Sequence, residues 1–325
     1  MTHAIRIHEY GGPEVLRWEE VDVGAPGPGE VLLRHGAIGL NFIDIYIRTG
    51  LYPQSGFPFV PGMEGAGTVL AVGDGVVEFS AGDRVAYAGP IGAYAEERTI
   101  AADRLVALPD AIAFETAAAM MLQGMTARYL LRKTFDVGPQ TTLLFHAAAG
   151  GVGLIACQWA RALGATVIGT VGSAEKAALA EANGCTYTIN YRTEDFVARV
   201  REITDGAGVD VAYDSVGRDT YPGSLDCLKP MGLWASFGQS SGPIAPIDLA
   251  ILGQKGSLFA TRPTLFTYIA RREDLLETAR DLFDVVASGK VTITVNQRYG
   301  LHEAGRAQRD LEARRTTGST VLVPA

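Results

Sequence analysis

The chain has 325 residues, of which 47% are hydrophobic and 20% charged, a composition typical of a globular protein large enough for two domains. Its formal net charge of −8, without a run of basic residues, argues against nucleic acid as the main partner. No apolar run reaches membrane-spanning length and no secretory leader opens the chain, so we expect no membrane partner and a cytoplasmic location.

Cysteine and histidine usage excludes further classes. The 3 cysteines are far apart and no two of the 5 histidines form a local pair, so neither a disulfide framework nor a zinc motif is present in the sequence. Metal-dependent and serine hydrolases therefore lack a starting motif here.

The N-terminal part of the sequence is rich in glycine and in β-forming residues. Residues 4–9 and 31–38 are predicted strands, and residues 62–73 have the spacing of short strands and tight turns in a small barrel. The pattern becomes helical between residues 114 and 132, so we predict a domain boundary near Leu122.

A strand, a glycine turn, a helix and a second strand then follow one another. Residues 141–147 and 165–171 are apolar runs of strand length, and the segment between them has helical periodicity. The turn consists of Gly150, Gly151, Val152 and Gly153, with Ala148 in the place of the first glycine of the usual dinucleotide motif. The N–H groups that open the helix predict an anion site, here for a dinucleotide pyrophosphate.

The end of the second strand indicates which dinucleotide is bound. An NAD site carries an acidic residue at this point, whereas this chain has Gly172 and Ser173, followed by Lys176. A cation and a hydroxyl favour a 2′-phosphate where a carboxylate would repel it, so we predict NADPH as the cofactor. Tyr191, at the end of the next strand, is predicted to supply a second donor.

The alternation of strands and helices continues. Further strands are predicted at 186–190, 209–215 and 232–238, and helices at 193–204 and 219–228. Repeated βα units indicate a doubly wound parallel sheet, whose strand carboxyl ends line the cofactor crevice. Ser215, Gly217 and Gly238 lie at those ends.

The C-terminal part is predicted to return to the first domain. A helix at 271–288 precedes strands at 291–295 and 320–323. We therefore predict an α/β protein with a discontinuous β domain, residues 1–122 and 264–325, and a Rossmann-type cofactor domain, residues 123–263.

With these residues in hand, the chain resembles the zinc-free quinone oxidoreductases, the ζ-crystallin-like group of the medium-chain dehydrogenase/reductase superfamily. The resemblance covers essentially the whole chain and is carried by segments 39–53, 62–73, 146–153 and 213–217. It implies a GroES-like catalytic domain beside the Rossmann domain, NADPH as cofactor and a quinone as substrate. It also implies a homodimer formed through the edge strand at residues 255–262.

The resemblance further implies chemistry without zinc. The zinc-bearing alcohol dehydrogenases have a histidine where this chain has Met63 and a cysteine near the place of Asn41. Zinc favours thiolate and imidazole ligands, so no metal site is expected. Hydride transfer without a Lewis acid suits an acceptor that is already electrophilic, such as a quinone.

Several site residues are implied by the same resemblance. A loop beside the nicotinamide contributes Asn41, Asp44, Tyr46 and Tyr52, which are expected to orient a quinone oxygen. Asn41 and Tyr46 are equally candidates for holding the cofactor, and Asp44 is equally a candidate for capping a helix. Further cofactor contacts are implied for Gln123, Thr126, Tyr129, Phe237, Gly238, Gln239, Ser240, Ser241 and Arg314.

Two other functions stay open at this point. One is NADPH-dependent reduction of activated C=C bonds in enones or enoyl thioesters on the same scaffold. The other is a non-enzymatic NADPH- or RNA-binding protein resembling the crystallins, although an acidic chain without a basic stripe disfavours RNA.

Overall fold

The structure is a computed structural model that describes residues 2–324. Its strands are β1 (Thr2–Arg6), β2 (Arg17–Val21), β3 (Glu30–Leu40), β4 (Glu64–Val72), β5 (Arg84–Ala88), β6 (Glu97–Ala101), β7 (Val106–Ala107), β8 (Thr142–Phe145), β9 (Thr166–Val171), β10 (Tyr187–Asn190), β11 (Val209–Asp214), β12 (Leu228–Ser236), β13 (Phe259–Thr261), β14 (Val295–Gly300) and β15 (Ser319–Val323).

The α-helices are α1 (Phe42–Arg48), α2 (Phe114–Ala118), α3 (Met121–Tyr129), α4 (Gly151–Ala162), α5 (Ala174–Ala182), α6 (Phe196–Ile203), α7 (Gly223–Asp226), α8 (Ala250–Gln254), α9 (Leu265–Tyr268), α10 (Arg272–Ala287) and α11 (Ala304–Glu312). A π-helical segment, Leu130–Thr134, continues α3. No helix within residues 2–324 is long and apolar enough to cross a membrane.

The chain divides into two compact units. The first runs through Gln123 and also includes Ala270–Ala279 and the chain from Ile293 onward. The second comprises Gly124–Ile269 and Arg280–Thr292. The second segment of the first unit therefore begins at Ala270, and α10 contributes residues to both units.

The first unit is mostly β structure. Its main sheet has the order β14-β15-β3-β4-β5-β7, with β6 also paired to β3, and β1 and β2 form a separate antiparallel pair. The long strand β3 pairs antiparallel with β15, β4 and β6, so strands from both ends of the chain meet on it. Alternating residues of these strands, such as Val31 and Leu33, bury an apolar core with Val85 and Tyr94.

The second unit is a parallel sheet covered by helices. Its six strands have the order β10-β9-β8-β11-β12-β13, and every neighbouring pair is parallel. Its core includes Leu144, Ile168, Ala212 and Trp234. Strand order changes direction at β8, so the carboxyl ends around β8 are where such sheets bind ligands. The predicted α/β class, a doubly wound parallel sheet with a mostly β unit built from both chain ends, is confirmed.

Two predicted elements are wrong. The strand expected at 291–295 is a connection, because Thr292 exchanges both backbone hydrogen bonds with the side-chain amide of Gln158, and the strand proper begins at Val295. The helix expected at 219–228 is the single turn α7, which starts only after Pro222, a residue without an N–H to continue a preceding helix. The other predicted elements are present with shifted ends; the first strand, for example, ends at Arg6 and not at residue 9.

Candidate cofactor site and active site

The glycine turn joins β8 to α4 and leaves the start of that helix open. Ala147 has a left-handed φ of 57°, and its carbonyl oxygen accepts the N–H of Gly150, the N-cap residue of α4. A Cβ on Gly153 would lie 2.5 Å from the oxygen of Ala147 and 2.6 Å from that of Ala148, so only glycine fits there. The first turn of α4, with Gly151 and Val152, carries no acidic residue and has no side-chain cap, so its N–H groups suit an anion.

The carboxyl end of β9 brings together the residues predicted to bind a 2′-phosphate. Ser173 is the N-cap of α5, and its hydroxyl accepts the backbone N–H of Lys176 at 3.3 Å. A Cβ on Gly172 would lie 2.7 Å from the hydroxyl of Tyr191, so Gly172 leaves room for that phenol. The described residues therefore fit a phosphorylated ribose here.

Sequence reasoning missed one cation at this position. The guanidinium Nε of Arg192 lies 3.6 Å from the Cβ position of Gly172, and Arg192 is exposed. The signal was present in the sequence, since a basic residue directly follows Tyr191 at the end of β10. Arg192 and Tyr191 thus reach the same glycine from the neighbouring strand.

Two loops at the carboxyl ends of β11 and β12 pack on each other. The N–H groups of Ser240 and Ser241 donate to the oxygens of Ser215 and Val216 at 3.1 and 2.9 Å. A Cβ on Gly238 would lie 2.7 Å from the oxygen of Ser215. The two loops also meet at Gly217, where a Cβ would lie 2.9 Å from the oxygen of Gly242 and 3.0 Å from the Cα of Gln239. The ring of Phe237 lies 5.8 Å from that of Phe145. Both predicted loop segments therefore form one surface next to the glycine turn.

A buried polar network, not predicted from the sequence, fixes the part of this surface that follows β11. The carboxylate of Asp214 accepts the N–H groups of Val216 and Gly217 and the hydroxyl of Ser224, at 2.9, 3.1 and 2.8 Å. Although burial opposes ionisation, the hydrogen bonds that these groups donate help to keep the pKa of Asp214 below its usual value. The loop after β11 is thereby fixed by backbone bonds to a charged group.

The helix α3 places two predicted cofactor residues in the second unit. Thr126 is 6% exposed and Tyr129 is 2% exposed. The ring of Tyr129 stacks on that of Tyr268, with centroids 4.4 Å apart and an interplanar angle of 7°. Burial raises the pKa of Tyr129, so this phenol is a neutral group.

In the first unit, Asn41 lies in a buried hydrogen-bond chain. Its Nδ2 donates to Oε1 of Glu64 at 2.5 Å, and its Oδ1 accepts Nε2 of Gln123 at 3.1 Å. Gln123 Oε1 accepts the hydroxyl of Ser319 at 2.7 Å, and Glu64 Oε2 accepts the N–H of Leu122 at 2.7 Å. Burial raises the pKa of Glu64 to about 8 against the N–H donors that favour the carboxylate. Sequence reasoning named Asn41 and Gln123 but not Glu64 or Ser319, because they come from β4 and β15.

Asp44 has the geometry of a helix-capping residue. It is the third residue of α1, and its Oδ2 accepts the N–H of Asn41 at 2.9 Å and the hydroxyl of Tyr94 at 2.8 Å. Its Oδ1 is buried without a hydrogen-bond partner among the described residues. Burial raises the pKa of Asp44 to about 7.

Aromatic side chains follow Asn41 on α1 and the loop after it. The rings of Phe42 and Tyr46 are 5.3 Å apart, and those of Tyr46 and Tyr52 meet edge to face at 5.3 Å. The N–H of Tyr52 donates to the oxygen of Tyr46 at 3.0 Å, which fixes the loop against the helix. These phenols form an apolar surface with polar edges beside Asn41.

The remaining predicted positions are Met63 and Arg314. Met63 is 7% exposed and directly precedes Glu64. Arg314 is exposed, with a left-handed φ of 58°, two residues after α11 ends. Within residues 2–324, no group of three histidine, cysteine, aspartate or glutamate side chains is arranged to hold a metal ion.

Comparisons with known proteins agree over the whole chain. The alcohol dehydrogenase GroES-like domain matches residues 27–110, and the zinc-binding dehydrogenase family matches residues 151–284. The sequence is 55% identical to a quinone oxidoreductase of Pseudomonas aeruginosa, with 100% of both chains covered. It is 48% identical to a 2-haloacrylate reductase of a Burkholderia species, covering 100% of this chain and 99% of the relative. The crystal structure of Escherichia coli quinone oxidoreductase complexed with NADPH superposes with a TM-score of 0.98 at 53% identity, covering 99% of this chain and 100% of that one.

Proposed function

Because the chain belongs to the quinone oxidoreductases of the medium-chain dehydrogenase/reductase superfamily, we propose that it reduces quinones with NADPH. When bound, NADPH supplies the hydride. The protein's own contributions are to bind the phosphates, to orient the quinone and to stabilise the charge that the quinone gains.

The arrangement of residues at the carboxyl end of β9 is the observation that supports NADPH as the cofactor. Gly172 leaves space there, Tyr191 and Arg192 reach that space, and Lys176 lies on the first turn of α5. Two cations and a phenol stabilise a 2′-phosphate through charge-assisted hydrogen bonds. The pyrophosphate is assigned to the N–H groups of Gly151, Val152 and Gly153 at the start of α4.

The donor set of the first unit supports hydride transfer without zinc. Met63 and Asn41 offer a thioether and an amide where a zinc site needs thiolate or imidazole. The acceptor must therefore be electrophilic by itself, which a quinone is. Asn41 is assigned to donate to a quinone oxygen, and Tyr46 and Tyr52 to hold the ring by their faces and hydroxyls. Asp44 is assigned a positioning role, since its carboxyl holds α1 by its N-terminus.

The test is a turnover assay with purified protein. We expect NADPH oxidation with a panel of benzoquinones and naphthoquinones, and a lower kcat/KM with NADH. Failure to oxidise NADPH with any quinone, in protein that binds NADPH by fluorescence, would contradict the proposal.

One comparison favours a second activity. The 2-haloacrylate reductase that is 48% identical over the full chain reduces, by its name, a substrate with an activated C=C bond. An enone or acrylate accepts hydride at carbon and gains negative charge on its carbonyl oxygen, which Asn41 would stabilise as it does a quinone oxygen. A kcat/KM for 2-haloacrylates or enones above that for all quinones would make this the main activity.

We also propose a homodimer formed through β13. This strand is at the edge of the parallel sheet, paired with β12, and Phe259 on it is 62% exposed. An apolar edge strand is a template for pairing with a second copy. Light scattering should give twice the monomer mass, and Phe259→Lys should shift it toward the monomer; a monomer in the unmodified protein would refute this.

The predicted cytoplasmic location is retained as a proposal. Cys157, Cys185 and Cys227 are all buried free thiols, as in proteins kept in a reducing compartment. Fractionation of the source cells, with detection of the native protein, tests it.

A further inference from the structure

We propose that Glu64 is a positioning residue which sets the direction of the hydrogen-bond chain through Asn41, and that the direction set by neutral Glu64 is the one that supports reduction. This inference rests on the proposed function, in which Asn41 donates to the substrate oxygen. It concerns a residue that contacts Asn41 and not the substrate.

The chain links four buried side chains of the first unit. Glu64, Asn41, Gln123 and Ser319 are 0%, 6%, 5% and 4% exposed. They connect the start of β4, the N-cap of α1, the start of α3 and the start of β15. Each contact is 3.1 Å or shorter, so each side chain is held at both ends. A primary amide inside such a chain can satisfy both neighbours only if its donor end faces an acceptor.

The two ends of the chain permit two directions. With Glu64 ionised, its oxygens accept from Leu122 N–H and from Asn41, and the hydroxyl of Ser319 donates to Gln123. With Glu64 protonated, its O–H donates to Asn41 and both amides turn over. Ser319 then accepts from Gln123 and donates to the backbone oxygen of Ala119, which lies 3.0 Å away. Both arrangements pair every group, and the proton on Glu64 selects between them.

The neutral arrangement favours reduction for an electrostatic reason. Hydride transfer places negative charge on the substrate oxygen, and a carboxylate one amide away would repel that charge across a buried, low-dielectric region. A neutral Glu64 that donates to Asn41 also polarises the amide and strengthens its remaining N–H as a donor. The reaction is therefore expected to slow as Glu64 ionises.

Two carboxyls, those of Glu64 and Asp44, titrate near neutral pH, and the other groups that face Glu64 come from β3, β5, β6 and α3. Burial raises the pKa of Glu64 to about 8 and that of Asp44 to about 7, and the charge of Asp44 adds to the rise at Glu64. His35 on β3 is neutral, because burial lowers its pKa to about 3, and Tyr87 on β5 is neutral, because burial raises its pKa. Arg98 on β6 acts on His35 and Tyr87 by its charge. From α3, the backbone N–H of Leu122 faces Glu64.

The first arm of the test is the pH dependence of kcat with a benzoquinone. For the unmodified protein, kcat should fall about tenfold per pH unit above the apparent pKa of a single ionisation. Glu64→Gln reproduces the neutral direction, since its oxygen accepts from Leu122 and its NH2 donates to Asn41. This variant should keep at least about half of the neutral-pH kcat and lose the alkaline fall. An unchanged alkaline fall, or a folded variant inactive at every pH, would overturn the inference.

Asp44→Asn separates the two carboxyls. Removing the charge of Asp44 should move the alkaline fall to lower pH without abolishing it, because Asp44 raises the pKa of Glu64. If the fall disappears in this variant and persists in Glu64→Gln, then Asp44 is the group that titrates and the inference is wrong.

The second arm does not need turnover. Side-chain amide signals of Asn41 and Gln123, in full-length protein labelled with ¹⁵N at asparagine and glutamine, should shift together with one midpoint as pH is raised. A joint shift in a protein that reduces no quinone would refute the proposed function, and with it the claim that neutral Glu64 supports reduction. It would keep the assignment of Glu64 as the residue that sets the direction of the hydrogen-bond chain. Active protein whose two amides do not titrate together would refute the inference and keep the function, and this result needs no variant to fold.

Discussion

Gly153→Ala tests the assignment of the glycine turn most directly. The new Cβ would stand 2.5 and 2.6 Å from two backbone oxygens, those of Ala147 and Ala148. Neither oxygen can rotate away like a side chain, because both are backbone carbonyls. The peptide group between Ala147 and Ala148 is also held at both ends, since its oxygen accepts the N–H of Gly150 and its N–H donates to the oxygen of Thr170. Either α4 or the turn must move by several tenths of an ångström.

The size of the effect follows from that overlap. Forcing an extra methyl into a packed site costs about 1–3 kcal/mol, and a unit of this size loses about 2–4 °C of Tm per kcal/mol. We therefore expect Tm to fall by about 2–12 °C. The dissociation constant for NADPH, measured by reduced-nicotinamide fluorescence, should rise by at least about tenfold, since the shifted N–H groups no longer converge on the pyrophosphate.

Gly138→Ala is the matched control. Gly138 precedes β8 in the same unit, and a Cβ there would meet no atom within 4 Å. It should leave both Tm and NADPH binding unchanged. If Gly153→Ala binds NADPH as tightly as this control does, the α4 N-terminus is not the pyrophosphate site.

Four further perturbations have defined outcomes. Lys176→Ala and Arg192→Ala should each weaken the binding of NADPH by about 1.5–3 kcal/mol and leave the binding of NADH unchanged. An equal loss of affinity for both nucleotides would contradict the assignment of these residues to the 2′-phosphate. Strong chelators should leave quinone turnover intact, whereas inactivation reversed by added zinc would contradict the roles given to Met63 and Asn41. Asp214→Asn should lower the free energy of unfolding by about 1–3 kcal/mol at neutral pH, because an amide oxygen replaces a carboxylate that accepts several hydrogen bonds. The pKa of Asp214 is lowered in the native protein, so the difference in free energy of unfolding between the unmodified protein and the variant should shrink as pH falls below the usual aspartate value of 3.8. Urea-induced unfolding of both proteins, at neutral pH and below pH 3.8, measures this difference.

Local patterns were sufficient to predict most of the cofactor unit. Short apolar runs alternate with helical periodicity, and glycines mark the strand ends, so the βα rhythm and the site at the carboxyl edge follow from residue order. The error at residues 291–295 has another origin. Val291 to Val295 looks like a strand by composition, but the polar groups of Thr292 are satisfied by Gln158, a residue 134 positions earlier. No local pattern contains that partner.

The candidate site shows the same division between local and distant information. Gly172, Ser173 and Lys176 are neighbours in sequence and are neighbours in the structure. The chain through Asn41 is different, because Ser319 and Gln123 are 196 residues apart. Glu64 was visible in the sequence beside Met63, but its role depends on Asn41 and Leu122, which reach it from two other elements.

The buried network of Asp214, Ser224 and His146 has the residue types of a hydrolase triad, but its hydrogen bonds run in a different direction. Ser224 donates its hydroxyl hydrogen to Asp214, so its oxygen accepts Nε2 of His146 at 3.1 Å. A serine nucleophile needs the opposite polarity, with its hydrogen on the imidazole. His146 is neutral, since burial lowers its pKa, and its Nδ1 accepts from Thr170. His146 and Ser224 are 1% and 0% exposed, so no substrate reaches them. The triad-like residues thus join β8, β9 and β11 and hold the loop at Ser215, which is part of the surface that we propose binds the cofactor.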